Sequence, residues 1–411
     1  MLSVEEAKSR ILAGVQPLGV ERVAIAEAHG RVLAADLRSK LNLPPWDNSA
    51  MDGFALRFED VHTATADKPV ALQVTATIAA GSVAHAEVGP HEAMRIMTGA
   101  PVPAGADTIV PIEHTDGDND VARIKQAPAK AGMHIRRLAE DVRVGDVVLS
   151  AGKVMTPARI ALAAGSGHGE IDVFMRPRVA ILSTGNELVE PGQEPAAGQI
   201  VSTNSYSLMA QVREAGGIPV YLGIARDDPE AIRARLQGAQ HVDLLLTSGG
   251  VSVGDFDFVK DVLLDLGMKL DFWKIAMKPG KPLAFGHVNG RPVLGLPGNP
   301  VASMVGFDVF VRPLLKAMMG CQHLEMPMLK ARLAGGYKKR DDRLHFVRVC
   351  LRYNGEHWLA QSSGLQGSGV LSSMAAADAL AVIPAACHEL AEGDEVEVRI
   401  LNVESLLRRD M

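Results

Sequence analysis

Between residues 178 and 318, short apolar runs alternate with helix-patterned stretches, and no other feature constrains the fold as strongly. Residues 179–182, 219–222 and 244–246 are apolar on both faces, as strands buried in a parallel sheet are. Helical stretches separate or follow them at 204–215, 229–236 and 258–266, with Gly216-Gly217 and Gly267 as stops. Residues 283–294 predict a hairpin turning at Asn289-Gly290, and residues 301–318 a long helix. This alternation is the signature of a doubly wound, largely parallel sheet.

In such sheets the loops at the carboxyl ends of the strands converge on one crevice. Here those loops are STGNEL (183–188), ARDDPE (225–230), TSGGVSVGDFD (247–257), KPGKP (278–282) and GLPGNP (295–300). Glycine admits close backbone approach, and successive amides form a nest for an anion. Ser248, Gly249, Gly250 and Ser252 therefore read either as a tight turn or as an oxyanion cradle. The turn matches neither G-x-G-x-x-G nor G-x-x-x-x-G-K-[ST], which argues against a dinucleotide dehydrogenase or a P-loop NTPase. Asp228 and Asp257 each precede a helix and read as caps, or with Asp227 as oxygen ligands for Mg²⁺. Glu187 has no obvious capping role. Lys278 and Lys281 stand beside prolines that exclude regular helix, and with Lys274 they suit an oxyanion. Pro297, Gly298, Asn299 and Pro300 open the long helix, or hold an anion there.

The flanking segments differ. Ser3 and Glu6 fit a capping box at the head of a helix ending near Gly14. Residues 20–25 read as a strand and 27–33 as a short helix. Residues 46–145 carry short alternating runs between Gly/Pro turns, the pattern of a small, mainly β domain. Two unusual pieces interrupt it, DNSAMDG (47–53) and RIMTGAPVP (95–103). Thr156 and Pro157 open a helix to about residue 164, expected to pack back on the N-terminal helix. The tail from about residue 329 returns to short strands and suggests a small β-barrel or sandwich.

Composition narrows the partners. The net charge of −6 and the 4% aromatic content speak against a nucleic-acid or membrane surface and against base-stacking platforms. The three cysteines lie far apart with no C-x-x-C, as expected of free thiols in a reducing cytosol. The N-terminus lacks the basic and apolar regions of an ordinary secretory signal, and no apolar run is long enough for a transmembrane helix.

Taken in order, PPWDNSAMDGFAL, RIMTGAPVP, IRRLAEDV, ILSTGNEL, TSGGVSVGDFDF, KPGKPLAFG and GLPGNPVAS resemble one family closely. It is the molybdopterin molybdenumtransferases, the MoeA proteins of molybdenum-cofactor synthesis, with E-domain relatives in plant and animal fusion proteins. The resemblance implies a multidomain α/β plus β chain. Its parts are a discontinuous domain of residues 1–45 and 146–176, a mainly β domain of 46–145, a MogA-like α/β domain of 177–328 and a C-terminal β-barrel of 329–411. It implies a cytoplasmic homodimer that inserts molybdate into adenylylated molybdopterin with Mg²⁺ present and AMP released. The active cleft would be shared between protomers. A molybdopterin adenylyltransferase and other cofactor-synthesis proteins would be its partners.

By the same resemblance Asp52, Thr98 and Asp141 stand on the β-domain wall of the cleft. Glu187, Asp227, Asp228 and Asp257 surround the adenylate and Mg²⁺. Ser248, Gly249 and Gly250 cradle phosphate, and Lys278, Lys281, Arg343 and Ser368 bind molybdate. Asn186 departs from relatives that carry aspartate there, and is left out of the metal set. The α/β domain alone also resembles molybdopterin adenylyltransferases, so adenylyl transfer is the alternative activity.

Overall fold

The computed structural model describes residues 1–250, 258–403 and 406. The chain divides into two compact units. One comprises Met1–Glu21, Gly30–Ala34 and Val173–Met411, and the other Arg22–His29 and Ala35–Asp172.

Helix α1 (Val4–Leu12) opens with the expected capping box: Ser3 Oγ accepts from Glu6 N and Glu6 Oε2 accepts from Ser3 N. Its stripe of Val4, Ala7 and Ile11 enters the core of the α/β domain. The expected packing partner, the helix at 157–165, falls in the other unit. The apolar stripe of α1 is satisfied by the α/β core instead. A second expectation also changes: residues 27–33 are not a helix. A single 3₁₀ turn covers Ile25–Glu27, and Gly30 at φ 72° ends any continuation.

The second unit holds a five-stranded sheet of β1 (Gly53–Leu56), β2 (Val70–Ile78), β3 (Glu92–Ile96), β4 (Thr108–Pro111) and β5 (Val121–Ile124). The order is β4–β1–β3–β2–β5, antiparallel except for the β2–β3 pair. Alternation sends Phe54 and Leu56 into one core and Ala55 into another, so β1 is buried on both faces. Gly53 ends the DNSAMDG segment where a Cβ would strike the Val110 carbonyl, a contact only glycine avoids. Helix α2 (Pro157–Gly165) follows, capped by Thr156 with proline in its first turn.

The α/β domain runs β6 (Arg178–Thr184), α3 (Asn204–Glu214), β7 (Ile218–Ala225), α4 (Pro229–Leu236), β8 (Leu244–Ser248), α5 (Phe258–Asp265), β9 (Lys269–Lys274), β10 (Pro282–Val288) and β11 (Arg291–Leu296). The sheet order is β7–β6–β8–β11–β10–β9, and the first four strands are parallel. The β10–β11 hairpin turns at Asn289 and Gly290, both at positive φ. Val179, Ile181, Leu244 and Leu246 face one core, while Ala180, Leu182 and Leu245 face the other. That two-sided burial is why these strands read as continuous apolar runs. The expected long helix is α6 (Pro300–Gly306), a π-helical segment Phe307–Val311, and α7 (Arg312–Met318).

The tail is a closed barrel of β12 (Met328–Leu333), β13 (Leu344–Tyr353), β14 (Trp358–Ser362), β15 (Ala379–Ile383) and β16 (Glu395–Ile400). The ring closes because β13 pairs with both β14 and β15. Among the described residues no helix is long and apolar enough to cross a membrane.

Candidate active site

Three parallel strands deliver their carboxyl ends to one cavity of about 710 Å³. Strand β6 ends in Thr184, Gly185 and then Glu187. Strand β8 ends in Ser248, Gly249 and Gly250, and β11 leads into Pro297, Gly298, Asn299 and Pro300. All of these line the cavity, as does Asp227 after β7. Gly249 and Gly250 stand at φ 86° and 65°, the left-handed region that glycine enters without strain and that admits close backbone approach. Of the residues expected there, Ser252 and Asp257 lie outside the described residues.

Asn186 and Asp227 join two of these loops reciprocally. Asn186 N donates to Asp227 Oδ2 and Asp227 N donates to Asn186 Oδ1, each at 3.2 Å. Mg²⁺ takes one or two carboxylates and completes its octahedron with phosphate and water oxygens. Glu187 and Asp227 fit that demand, because both carry carboxylates on the wall of the cavity. Asp228 does not line the cavity. It caps α4, its Oδ2 accepting from Ala231 N at 2.8 Å. Among the described residues no group of three or more His, Cys, Asp or Glu could hold a metal unaided.

Several wall residues had no signal in the sequence. Asn204, the first residue of α3, is buried and donates Nδ2 to Ser248 Oγ at 2.7 Å and to the Gly298 carbonyl at 2.8 Å. It read only as a helix start. Ser183 and Ser205 share a buried hydroxyl contact of 2.7 Å just behind it. Gly369 and Leu371 reach the cavity from the barrel segment that holds Ser368, whose carbonyl accepts from Val301 N at 3.1 Å.

The other expected residues take different places. In the β unit Asp52 Oδ1 accepts from both Thr98 N at 2.6 Å and Thr98 Oγ1 at 2.8 Å. These two bonds, the backbone one first, hold the Asp52 carboxyl below its ordinary range. Asp141 is exposed, and its N–H donates to the Leu43 carbonyl at 3.0 Å. Lys274, Lys278 and Lys281 are exposed and do not line the cavity, although Pro282 beside Lys281 does.

Arg343 is already paired. Its guanidinium forks onto Asp341, with Nε and Nη2 at 3.1 and 2.7 Å. The same carboxylate contacts His345 Nε2 at 2.9 Å, and Tyr337 OH contacts His345 Nδ1 at 2.8 Å. The Arg343 guanidinium, with His345, holds Asp341 far below the usual carboxylate range. Burial pushes the His345 imidazole down, against the opposing pull of Asp341. A base with a depressed folded pKa takes up its proton first in the unfolded chain as pH falls. Stability is therefore full above the unfolded value of ~6.5 and lost below it, until the depressed folded value is reached. The unfolding midpoint should fall on acidification below ~6.5 in the wild type and less steeply in His345→Gln. Melting curves at stepped pH check this; a steeper fall in the variant would reverse the assignment.

A parallel-centred α/β sheet with a cavity at its strand ends that presents carboxylates, hydroxyls and glycines, carried with β domains on both sides in sequence, defines a multidomain ligand-binding α/β protein. Three family models match it: the MoeA N-terminal region (domain I and II) over residues 2–167, the probable molybdopterin binding domain over 180–317, and the MoeA C-terminal region (domain IV) over 330–401. Molybdopterin molybdenumtransferase 2 of Mycobacterium tuberculosis is 40% identical across 97% of this chain and 99% of its own. The molybdopterin molybdenumtransferase of Haemophilus influenzae is 35% identical across 98% and 99%. A crystal structure of the molybdopterin biosynthesis MoeA protein from Pyrococcus horikoshii superposes with a TM-score of 0.83 at 31% identity, over 97% of this chain and 100% of that one. The chain belongs to the MoeA family, the molybdopterin molybdenumtransferases.

Proposed function

We propose that the chain inserts molybdate into adenylylated molybdopterin, releasing AMP and leaving the molybdenum cofactor. The observation that carries this reading is the cavity at the ends of β6, β8 and β11, with its glycine turn and two carboxylates, in a chain aligned end to end with molybdenumtransferases.

In this reading the turn of Ser248, Gly249 and Gly250 cradles a phosphate of the adenylylated substrate. Glu187 and Asp227 hold Mg²⁺, which supplies charge neutralisation at the phosphoanhydride when bound. Lys278 and Lys281, with Lys274, Arg343 and Ser368 nearby in sequence or from the tail, serve the molybdate oxyanion. The work is positioning and charge stabilisation, which needs no nucleophilic Ser–His or Cys–His pair. The reading keeps the division at residues 45, 145, 176 and 328. It also keeps a homodimer in which Asp52, Thr98 and Asp141 of one copy face the α/β domain of the other.

The test supplies purified protein with adenylylated molybdopterin, Mg²⁺ and molybdate, following AMP release and active cofactor. Molybdate-dependent release of AMP with appearance of active cofactor is expected. Formation of adenylylated molybdopterin from ATP and molybdopterin, without insertion, would replace this reading by adenylyl transfer.

A further inference from the structure

We infer that Asn204 is a positioning residue, which locks the turn after β8 to the turn after β11 and aims the Ser248 hydroxyl proton into the cavity. The inference rests on the proposed binding of adenylylated molybdopterin in that cavity.

The orientation of the Asn204 amide follows from its partners. The Gly298 carbonyl can only accept, so the atom 2.8 Å from it is Nδ2. The same nitrogen lies 2.7 Å from Ser248 Oγ. One NH₂ group thus spends its two hydrogens on two different strand-end turns. Among the described residues no other side chain bridges them; the backbone adds the bond from Gly249 N to the Leu296 carbonyl, 3.2 Å, beside the β8–β11 ladder. The turns also lie close together, since a Cβ added to Gly298 would meet the Gly249 Cα at 3.8 Å. Asn204 is 8% exposed and Ser248 3%, so water does not compete freely for these bonds.

The consequence is directional. A serine hydroxyl has one hydrogen and two lone pairs. With a lone pair of Ser248 Oγ engaged by Asn204 Nδ2, its hydrogen remains to donate. Ser248 lines the cavity, so that hydrogen is placed to meet an anionic oxygen there. An aspartate at position 204 has nearly the same shape and the opposite polarity. It would accept the serine proton and face the Gly298 carbonyl with a second acceptor, leaving the cavity a hydroxyl with no proton to offer.

Binding of adenylylated molybdopterin is measured by calorimetry for the wild type, Asn204→Ala, Asn204→Asp, Ser248→Ala and the Asn204→Ala/Ser248→Ala double variant. Each single variant should weaken binding about tenfold or more, which is ~1.4 kcal/mol per decade. Because Asn204 acts through Ser248, the double variant should bind no worse than the weaker single variant. Asn204→Asp should lose at least as much as Asn204→Ala, and carries the test if the alanine variant does not fold. Wild-type affinity in Asn204→Asp, or losses that multiply in the double variant, would overturn the inference. Failure of the wild type to bind the probe would instead remove the functional reading on which it rests.

Discussion

Replacing Gly250 with alanine should cut kcat/KM for molybdate insertion by about a hundredfold or more, the scale of loss when a site is displaced by an ångström. Two separate costs combine. Gly250 sits at φ 65°, where an L-residue carries roughly 1–2 kcal/mol of strain. Its new Cβ would also press into Val259 Cγ2 and lie 2.9 Å from Val259 Cβ and 3.0 Å from Thr184 Oγ1. Val259 is a core residue of α5, 1% exposed, and cannot retreat without disturbing the layer beneath the sheet. The turn itself must therefore move. It is bonded to Asn204 and leads out of β8, so its residues would shift from their places on the cavity wall.

Gly290→Ala separates the two costs. That glycine also has positive φ, 78°, but no heavy atom within 4 Å of its would-be Cβ, and it does not line the cavity. It should lose about 1 kcal/mol of stability and keep its turnover. AMP release by both variants, alongside their melting midpoints, decides the matter. Equal activity in the two would mean that the Ser248, Gly249, Gly250 turn does not touch the substrate.

The frame of the molecule was legible because its signals are local. A strand buried on both faces needs an unbroken apolar run, and residues 244–246 supply one. A hairpin needs positive φ at its turn, and Asn289-Gly290 announces it. The capping box at Ser3 and Glu6 is complete within four residues. The glycine turn and GLPGNP were readable as polar loops for the same reason, and both line the cavity.

What escaped was long-range. Asn204 is separated from Ser248 by 44 residues and from Gly298 by 94, and a helix-opening asparagine looks the same whatever its amide reaches. The amphipathic stripe of α1 predicted a buried face but not which core would bury it. Nothing in the sequence marks Arg348 as buried. It is 2% exposed, with Nη1 and Nη2 donating to the carbonyls of Gly367 and Leu365. That anchors the backbone just ahead of Ser368, while Arg343 is taken up by Asp341, two residues away. Burial separates the two arginines.

The same lesson in its strongest form is Asp308, a residue with no motif around it. Asp308→Ala should destabilise the chain by about 3–5 kcal/mol, the usual cost of removing one member of a buried ion pair. Asp308 is fully buried in the π-helical segment Phe307–Val311. Its Oδ1 accepts from Arg312 Nε at 2.8 Å, and its Oδ2 accepts from Arg399 Nε. Arg399 Nη1 continues to Glu325 at 2.7 Å, and Glu325 to Lys8 Nζ at 2.7 Å. One carboxylate thus joins α7 to barrel strand β16, and through Glu325 to α1. Burial opposes the charge on Arg399, but Asp308 and Glu325 outweigh it and hold the guanidinium above its ordinary value. Removing Asp308 leaves two guanidiniums whose side chains are only 5% and 6% exposed. At the exposed end of the network, Glu214→Ala should cost no more than about 1 kcal/mol, because Glu214 is 55% exposed where it meets Arg312. The unfolding midpoint in urea ranks the two variants. Comparable losses would mean that the buried network is worth no more than a surface pair, and that apolar packing alone seats the barrel on α6 and α7.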